Sequence, residues 1–156
     1  MSALYIVAAQ PNPPGKDSAR GTATDHMLNQ EWLEFAALQD RNLAGDSLTN
    51  VTFNQWCQVT GADQLYRFAS GQLAAGKHVR VHTGRGTDYW DGNVWHAYAG
   101  RHWFAWNNTC GDRATLSFNG SVIDSAFYRP NPPEGVLVRV EGTDELVPAH
   151  QLSYRR

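Results

Sequence analysis

Residues Arg113 to Tyr128 read RATLSFNGSVIDSAFY, two stretches of apolar alternation that meet at Asn119-Gly120. A two-residue linker of this kind closes a type I′ hairpin, because both central residues must take positive φ, which Asn tolerates and Gly adopts freely. Pairing across the turn sets Leu116 opposite Ile123.

The rest of the chain repeats this grammar of short runs and breaks. Leu4 to Ala9 is a strand candidate stopped by Gln10-Pro11-Asn12-Pro13-Pro14-Gly15, and a long polar loop runs from Pro11 to Asn29. In Glu31 to Ala36, charged and aromatic residues nearly alternate, and the brevity of the pattern favours a strand over a helix. In Leu48 to Cys57, Val51 and Phe53 share a face and Trp56 falls off it, so a bulge near Asn54-Gln55 is expected to return Trp56 to the core. Leu65 to Phe68 and His78 to His82 follow. In the latter, Val79 and Val81 face the core while His78, Arg80 and His82 point away. Gly84 to Arg101 reads as a long ordered loop, His102 to Asn107 as a strand, and Val136 to Glu141 and Glu145 to Ala149 as two more. The total is about nine or ten mostly antiparallel strands, an all-β sandwich.

At 156 residues the chain fits one sandwich with a substantial core. The core is expected to hold Trp32 or Leu33, Trp56, Val79, Val81, Leu116 and Ile123. The net charge of −2 advertises no nucleic-acid field. Residues 67 to 113 do hold six basic and three acidic side chains, a solvated face or a mildly anion-facing one. The start, MSALYIVAAQPNPPGKD, lacks a basic region followed by a long apolar stretch, and no apolar run reaches ~20 residues. Those features predict a cytoplasmic protein without membrane contact, secreted only if a leader has been removed. Cys57 and Cys110 lie far apart without CxxC spacing, which favours two free thiols over a disulfide.

Motifs with catalytic or metal chemistry are weak. His78 and His82 would stand about 13 Å apart on a regular strand, too far for one metal ion. His96 and His102 could approach them, but without an HExxH pattern or a carboxylate beside them. Gly15-Lys16-Asp17-Ser18 lacks the first glycine and the hydroxyl of a phosphate loop. Asp17, Asp25, Glu31 and Glu34 do not have the spacing of a calcium loop. Neither Cys has an adjacent base, and no Ser has an elbow context. The expectation is no catalytic residues, no metal and no cofactor.

Several segments together resemble the lamin tail domain, an immunoglobulin-like module found at the end of nuclear lamins and widely in bacterial proteins. They are PNPPGKD, Glu31-Trp32-Leu33-Glu34, Gly76 to Gly84, and the series Trp106, Asn107, Asn108, Gly111, Asp112, Leu116, Gly120, Val122, Asp124 and Tyr128. The similarity covers Ala3 to Tyr128 and is that of a small bacterial-type member. Coiled-coil heptads, a basic localisation run and a C-terminal CaaX box are missing, so rod-built filaments and lipid attachment are not implied. The resemblance implies an immunoglobulin-like domain over residues 1–128, with 129–156 as a proline-led extension. It also implies a non-catalytic structural or protein-interaction module, of the kind that serves as a component of a larger assembly.

On that fold the polar corner of Trp106, Asn107, Asn108, Gly111 and Asp112 serves the passage from one sheet to the other. Asn and Asp bond nearby amides, Gly supplies positive φ, and Trp106 plugs the core. Candidate binding residues are Arg85, Tyr89, Trp90, Trp95, Tyr98, Arg101 and Trp103, as a platform for a glycan or nucleic acid; alternatively two or three of the rings fill the open end of the sandwich. The segments Pro11 to Pro14 and Pro130 to Pro133 are expected to leave the sandwich as extended spacers. Beyond the second, residues 136–141 either extend the chain's own sheet, the favoured reading, or pair with another copy or a protein partner.

Overall fold

The computed structural model describes residues 2–155. In chain order the elements are β1 (Leu4–Asn12), α1 (Asp25–Leu28), β2 (Trp32–Ala37), β3 (Arg41–Asn42), β4 (Asp46–Thr49), β5 (Thr52–Phe53), β6 (Val59–Gly61), β7 (Gln64–Arg67), β8 (Gln72–Leu73), β9 (His78–His82), β10 (Tyr89–Asp91), β11 (Val94–Tyr98), β12 (Asp112–Phe118), β13 (Ser121–Tyr128), β14 (Gly135–Arg139), β15 (Leu146–Pro148) and α2 (Ala149–Arg155). A seven-stranded sheet, β10-β11-β9-β2-β1-β14-β15, packs on a four-stranded sheet, β13-β12-β4-β7. β3 pairs with β8 and β5 with β6. The expected all-β sandwich is what forms.

Alternation decides the packing. Leu33, Phe35, Val79 and Val81 are buried from the large sheet, and Leu48, Ala114 and Leu116 from the small one. Trp32 is buried too, but on the outer face, where the Arg80 guanidinium lies 3.9 Å from its ring centre. Leu33 is therefore the core residue of that pair. Ile123 packs against the core half-buried. Trp56 corrects the expectation: it is 71% exposed. The segment from Leu48 splits into β4 and β5, and the Asn54 carboxamide accepts the amides of Trp56 (2.9 Å) and Gln58 (3.0 Å). That bonding closes a tight turn with Trp56 at its tip, in place of a bulge that would have restored its phase.

Asn119 (φ +47°) and Gly120 (φ +80°) do form the two-residue turn, between Phe118 and Ser121. The expected Leu116–Ile123 pair does not form, because a bulge after Leu116 places it opposite Asp124. The shift has a use. Asp124 accepts the Ile6 amide at 2.7 Å and the Arg139 guanidinium at 2.6 Å, and Arg139 also donates to the Ile6 carbonyl. One carboxylate thus joins β13, β1 and β14. Replacing Gly120 by valine is expected to cost about 1 kcal/mol, because nothing lies within 4 Å of the added Cβ and the cost is backbone strain alone. The urea midpoint checks this, and an unchanged midpoint would mean the turn relaxes to another type.

Three further expectations are corrected. Residues 84–101, read as loop, contain β10 and β11, closed by Gly92 (φ +58°) and Asn93, and β11 lies parallel to β9. Residues 102–107 form no strand; the backbone groups of Ala105 to Asn107 are taken by side chains described below. The two PNPP segments do not leave the sandwich. Pro11 and Asn12 end β1, Pro13 and Pro132 are buried, and the Asn12 carboxamide donates to the Pro132 carbonyl at 2.9 Å. The prolines lie where the β1–β14 register is irregular, a place that needs no ladder donor. Residues 135–139 extend the chain's own sheet, with β1 on one edge and β15 on the other.

Candidate functional site

The corner is built around a buried ion pair. Glu31, fully buried, follows α1 at the entry to β2. Its carboxylate accepts the Thr83 hydroxyl (2.7 Å), the Ala105 amide (2.7 Å) and the Trp106 amide (3.3 Å), and faces the Lys16 ammonium at 2.6 Å. Lys16 also donates to the Pro11 carbonyl (2.7 Å), to the Trp106 carbonyl and to Asn108 Oδ1 (3.2 Å). Burial raises the Glu31 carboxyl above its ordinary range, and the Lys16 charge opposes that rise. An irregular segment that cannot pair as a strand thereby has its amides satisfied inside the protein.

Asp112 does the same for the far side of the corner. Its oxygens accept the amides of Val51 (2.9 Å), Asn107 (3.0 Å) and Arg113 (2.8 Å), and burial pushes its pKa up to about 6 against those three bonds. Asn107 caps the Cys110 amide at 2.8 Å, and the Tyr128 hydroxyl donates to the Asn107 carbonyl at 2.8 Å. Gly111 (φ +72°) passes so close to the backbone of Tyr128 that a Cβ there would have no room. Trp106 is buried beneath, and Asn108 joins Lys16 to Asp17.

The candidate aromatic residues separate into three environments. Trp95 points inward, 5.7 Å from the Phe68 ring, with Trp90 beside it at the sheet edge. On the outer face Tyr89, His96, His82 and Tyr98 stand as stacked rings, with centres 4.6, 5.1 and 4.9 Å apart along the series. Trp103 is 44% exposed in the loop after β11, edge-on to Phe104. Arg85 pairs with Asp25 at 3.3 Å, and Arg101 approaches Asp63 at 4.0 Å. The loop 99–104 encloses an open cleft of about 480 Å³, and a neighbouring cleft of about 270 Å³ lies between residues 50–53 and 104–107.

The histidine pair has a defined proton arrangement. His82 Nδ1 lies 2.7 Å from the Asn29 carbonyl, which can only accept, and His82 Nε2 lies 2.8 Å from His96 Nδ1. Neutral His82 therefore donates from Nδ1–H to the Asn29 carbonyl, and its Nε2 accepts a hydrogen bond from His96 Nδ1–H. Burial holds the His82 pKa down at about 4 and lowers that of His96 as well. Since the unfolded chain protonates this histidine near pH 6.5, the unfolded state binds more protons between pH 6.5 and 4. The His82 contribution is complete above that window and lost as pH falls through it, by about 2 kcal/mol after discounting for relaxation. Asp112, whose pKa is raised, works in the opposite direction over part of the window. The check is thus a comparison of melting temperatures from pH 7 to pH 4 for the wild type and His82→Asn, in which the wild type has the steeper fall.

His78 bonds Glu34 at 2.8 Å, and Arg80 bonds the same carboxylate at 2.8 Å. Asp17, Asp25, Glu31 and Glu34 each serve a different partner, so they do not converge. Among the described residues no group of three or more His, Cys, Asp or Glu side chains is placed to hold a metal ion.

Cys57 and Cys110 form a disulfide, correcting the expectation of free thiols. Their separation of 53 residues hides the pairing, which the fold creates by laying the β5–β6 hairpin against the corner. Among the described residues no helix is long and apolar enough to cross a membrane. No protein-family model matches the chain, and no curated protein matches it.

Proposed function

We propose that the protein is a non-catalytic structural or protein-interaction module of lamin-tail type, with an immunoglobulin-like sandwich that carries a rigid loop end to its partner. The resemblance over Ala3 to Tyr128 supports this reading, as does the all-β architecture. The disulfide favours an oxidising compartment over the cytoplasm.

The observation that carries the reading is where the buried carboxylates are spent. Glu31 is held by Lys16 and backbone amides, Asp112 by three amides, Asp46 by Arg41 at 2.6 Å, and Asp124 by Arg139. Each closes the fold, while large apolar rings such as Trp103 are left open to solvent at the loop end. A scaffold that commits its charge to structure and exposes aromatics is suited to binding. The rival reading, a glycan or nucleic-acid platform on residues 85–103, is weakened because in the Tyr89, His96, His82 and Tyr98 series stacking takes both faces of each histidine and one face of each tyrosine.

The test is capture of partners on the immobilised, oxidised chain, together with its mass in solution for self-association. A partner held by the wild type and lost with Trp103→Ala, at unchanged melting temperature, supports the reading. Substrate turnover abolished by a single His or Asp substitution overturns it.

A further inference from the structure

The hairpin formed by β5 and β6 is unlike the rest of the surface. From Val51 to Ala62 the sequence is VTFNQWCQVTGA, without one charged side chain. Residues 55–64 are all exposed, and Trp56 at the tip is 71% exposed. The backbone that carries this indole is held on both sides. The Asn54 carboxamide takes the Trp56 and Gln58 amides and donates to Gln58 Oε1 at 2.8 Å, the Cys57 amide donates to the Asn54 carbonyl, and Cys57 is bonded to Cys110. The fold thus fixes the backbone beneath an apolar ring that it does not use for its core.

We propose that this tip is a binding site for a neutral glycan, with Trp56 as the stacking platform. The proposal rests on reading the protein as a non-catalytic binder and names a ligand class for a different surface from residues 85–103. Indole exposure of this degree leaves at least one ring face open to the C–H face of a pyranose. Beside it in sequence, Gln55 supplies an amide that both donates and accepts, and Gln58, whose Oε1 takes the Asn54 carboxamide, keeps its NH2 group as a donor, the chemistry that sugar hydroxyls require. The absence of charge over the whole hairpin selects against uronates, sulfates and phosphates, which need a cationic partner to offset their desolvation. A membrane surface fits less well, because interfacial anchoring calls for a broad apolar face or basic residues, and the tip offers one ring and Val59. Because the backbone beneath the ring is already fixed, binding has only the Trp56 side-chain torsions left to order, so a small contact suffices for weak recognition.

The experiment uses the full oxidised chain, isotopically labelled, titrated with hexasaccharides of β-1,4-glucose, β-1,4-N-acetylglucosamine, α-1,4-glucose and β-1,4-mannose, with oligogalacturonate as the charged control. The expected result is a shift of the Trp56 indole N–H and of nearby side-chain amides with at least one neutral sugar, at a dissociation constant on the order of 1 mM. Trp56→Ala should weaken that binding about tenfold or more, since stacking on one aromatic is worth about that factor, while Val122→Ala, at an exposed apolar position on β13, leaves it unchanged. Trp56 is exposed, so the variant folds, which the melting temperature confirms. No shift with any neutral sugar at about 10 mM overturns the proposal, as does binding that survives Trp56→Ala. Trp56-dependent partition into phosphatidylcholine vesicles without sugar binding overturns it in favour of a lipid surface. Sugar that binds through Trp56 and is then cleaved supports the site and overturns the non-catalytic reading, so the two failures are distinguishable.

Discussion

Glu31→Ala is expected to cost about 3–5 kcal/mol, enough to unfold a domain of ordinary stability at modest temperature. The carboxylate does two things that no neighbour can take over. It accepts the Ala105 and Trp106 amides, which lie in an irregular segment without a strand partner, and it neutralises Lys16 in a place where the ammonium is almost wholly covered. With alanine there, two amides inside the protein lose their acceptor, at about 1–3 kcal/mol for each group left unmade. Lys16 must then turn outward and release the Pro11 and Trp106 carbonyls it now bridges. Glu31→Gln should cost less, since one oxygen still accepts, but its amide group confronts Lys16 where the second oxygen stood. The double replacement Glu31→Leu with Lys16→Met should recover part of the loss, because removing both charges also removes their desolvation. Urea midpoints for the four proteins check this order. A loss below about 1 kcal/mol for Glu31→Ala would mean that the corner amides find water instead.

The layered fold was legible wherever a single strand carried its own instructions. Val79 and Val81 alternate with His78, Arg80 and His82 and face as that alternation requires, and Asn119-Gly120 turns as its chemistry demands. What could not be read were features whose cause lies elsewhere in the chain. The Leu116 register depends on Asp124 reaching Ile6 and Arg139, residues far away in sequence. Residues 102–107 look like a strand by composition, but Glu31 and Lys16 claim the backbone of Ala105 and Trp106 first. One miss was local and avoidable: Asp91-Gly92-Asn93 between aromatic residues is a hairpin signal, and the aromatic crowding around it hid β10 and β11 in a supposed loop. Of the candidate residues, Tyr89, Trp90 and Trp103 are exposed, Trp95 packs against the core, and Trp56, expected inside, is the most exposed large apolar side chain among the described residues. Its phase in the sequence was read correctly as off the core face; the error was to supply a bulge when Asn54 supplied a turn.

Removing the disulfide, by Cys57→Ala with Cys110→Ala or by reductant, is expected to cost about 4 kcal/mol. The bond closes a 53-residue loop, and the chain-entropy estimate for a loop of that length gives this figure. For a domain of this size that corresponds to a fall in melting temperature of roughly 10 °C. Part of the loss should be local. The hairpin 51–61 holds to the body through the Val51 amide on Asp112 and the Asn50–Asp63 and Asn50–Ala105 bonds near its base, whereas among the described residues its tip is tied to the body by the cystine. Hydrogen exchange in the reduced protein should therefore rise first at residues 52–60, and at Asn107 to Gly111 where the bond's other end is anchored, before the β12–β13 ladder opens. The measurement is a melting curve and an exchange map with and without reductant, with thiol titration to confirm that both cysteines are free. Two titrated thiols with an unchanged melting temperature would show that the corner and the hairpin are held by their hydrogen bonds alone. The preference for an oxidising compartment would then lose its stability argument, because nothing in the fold would depend on the bond.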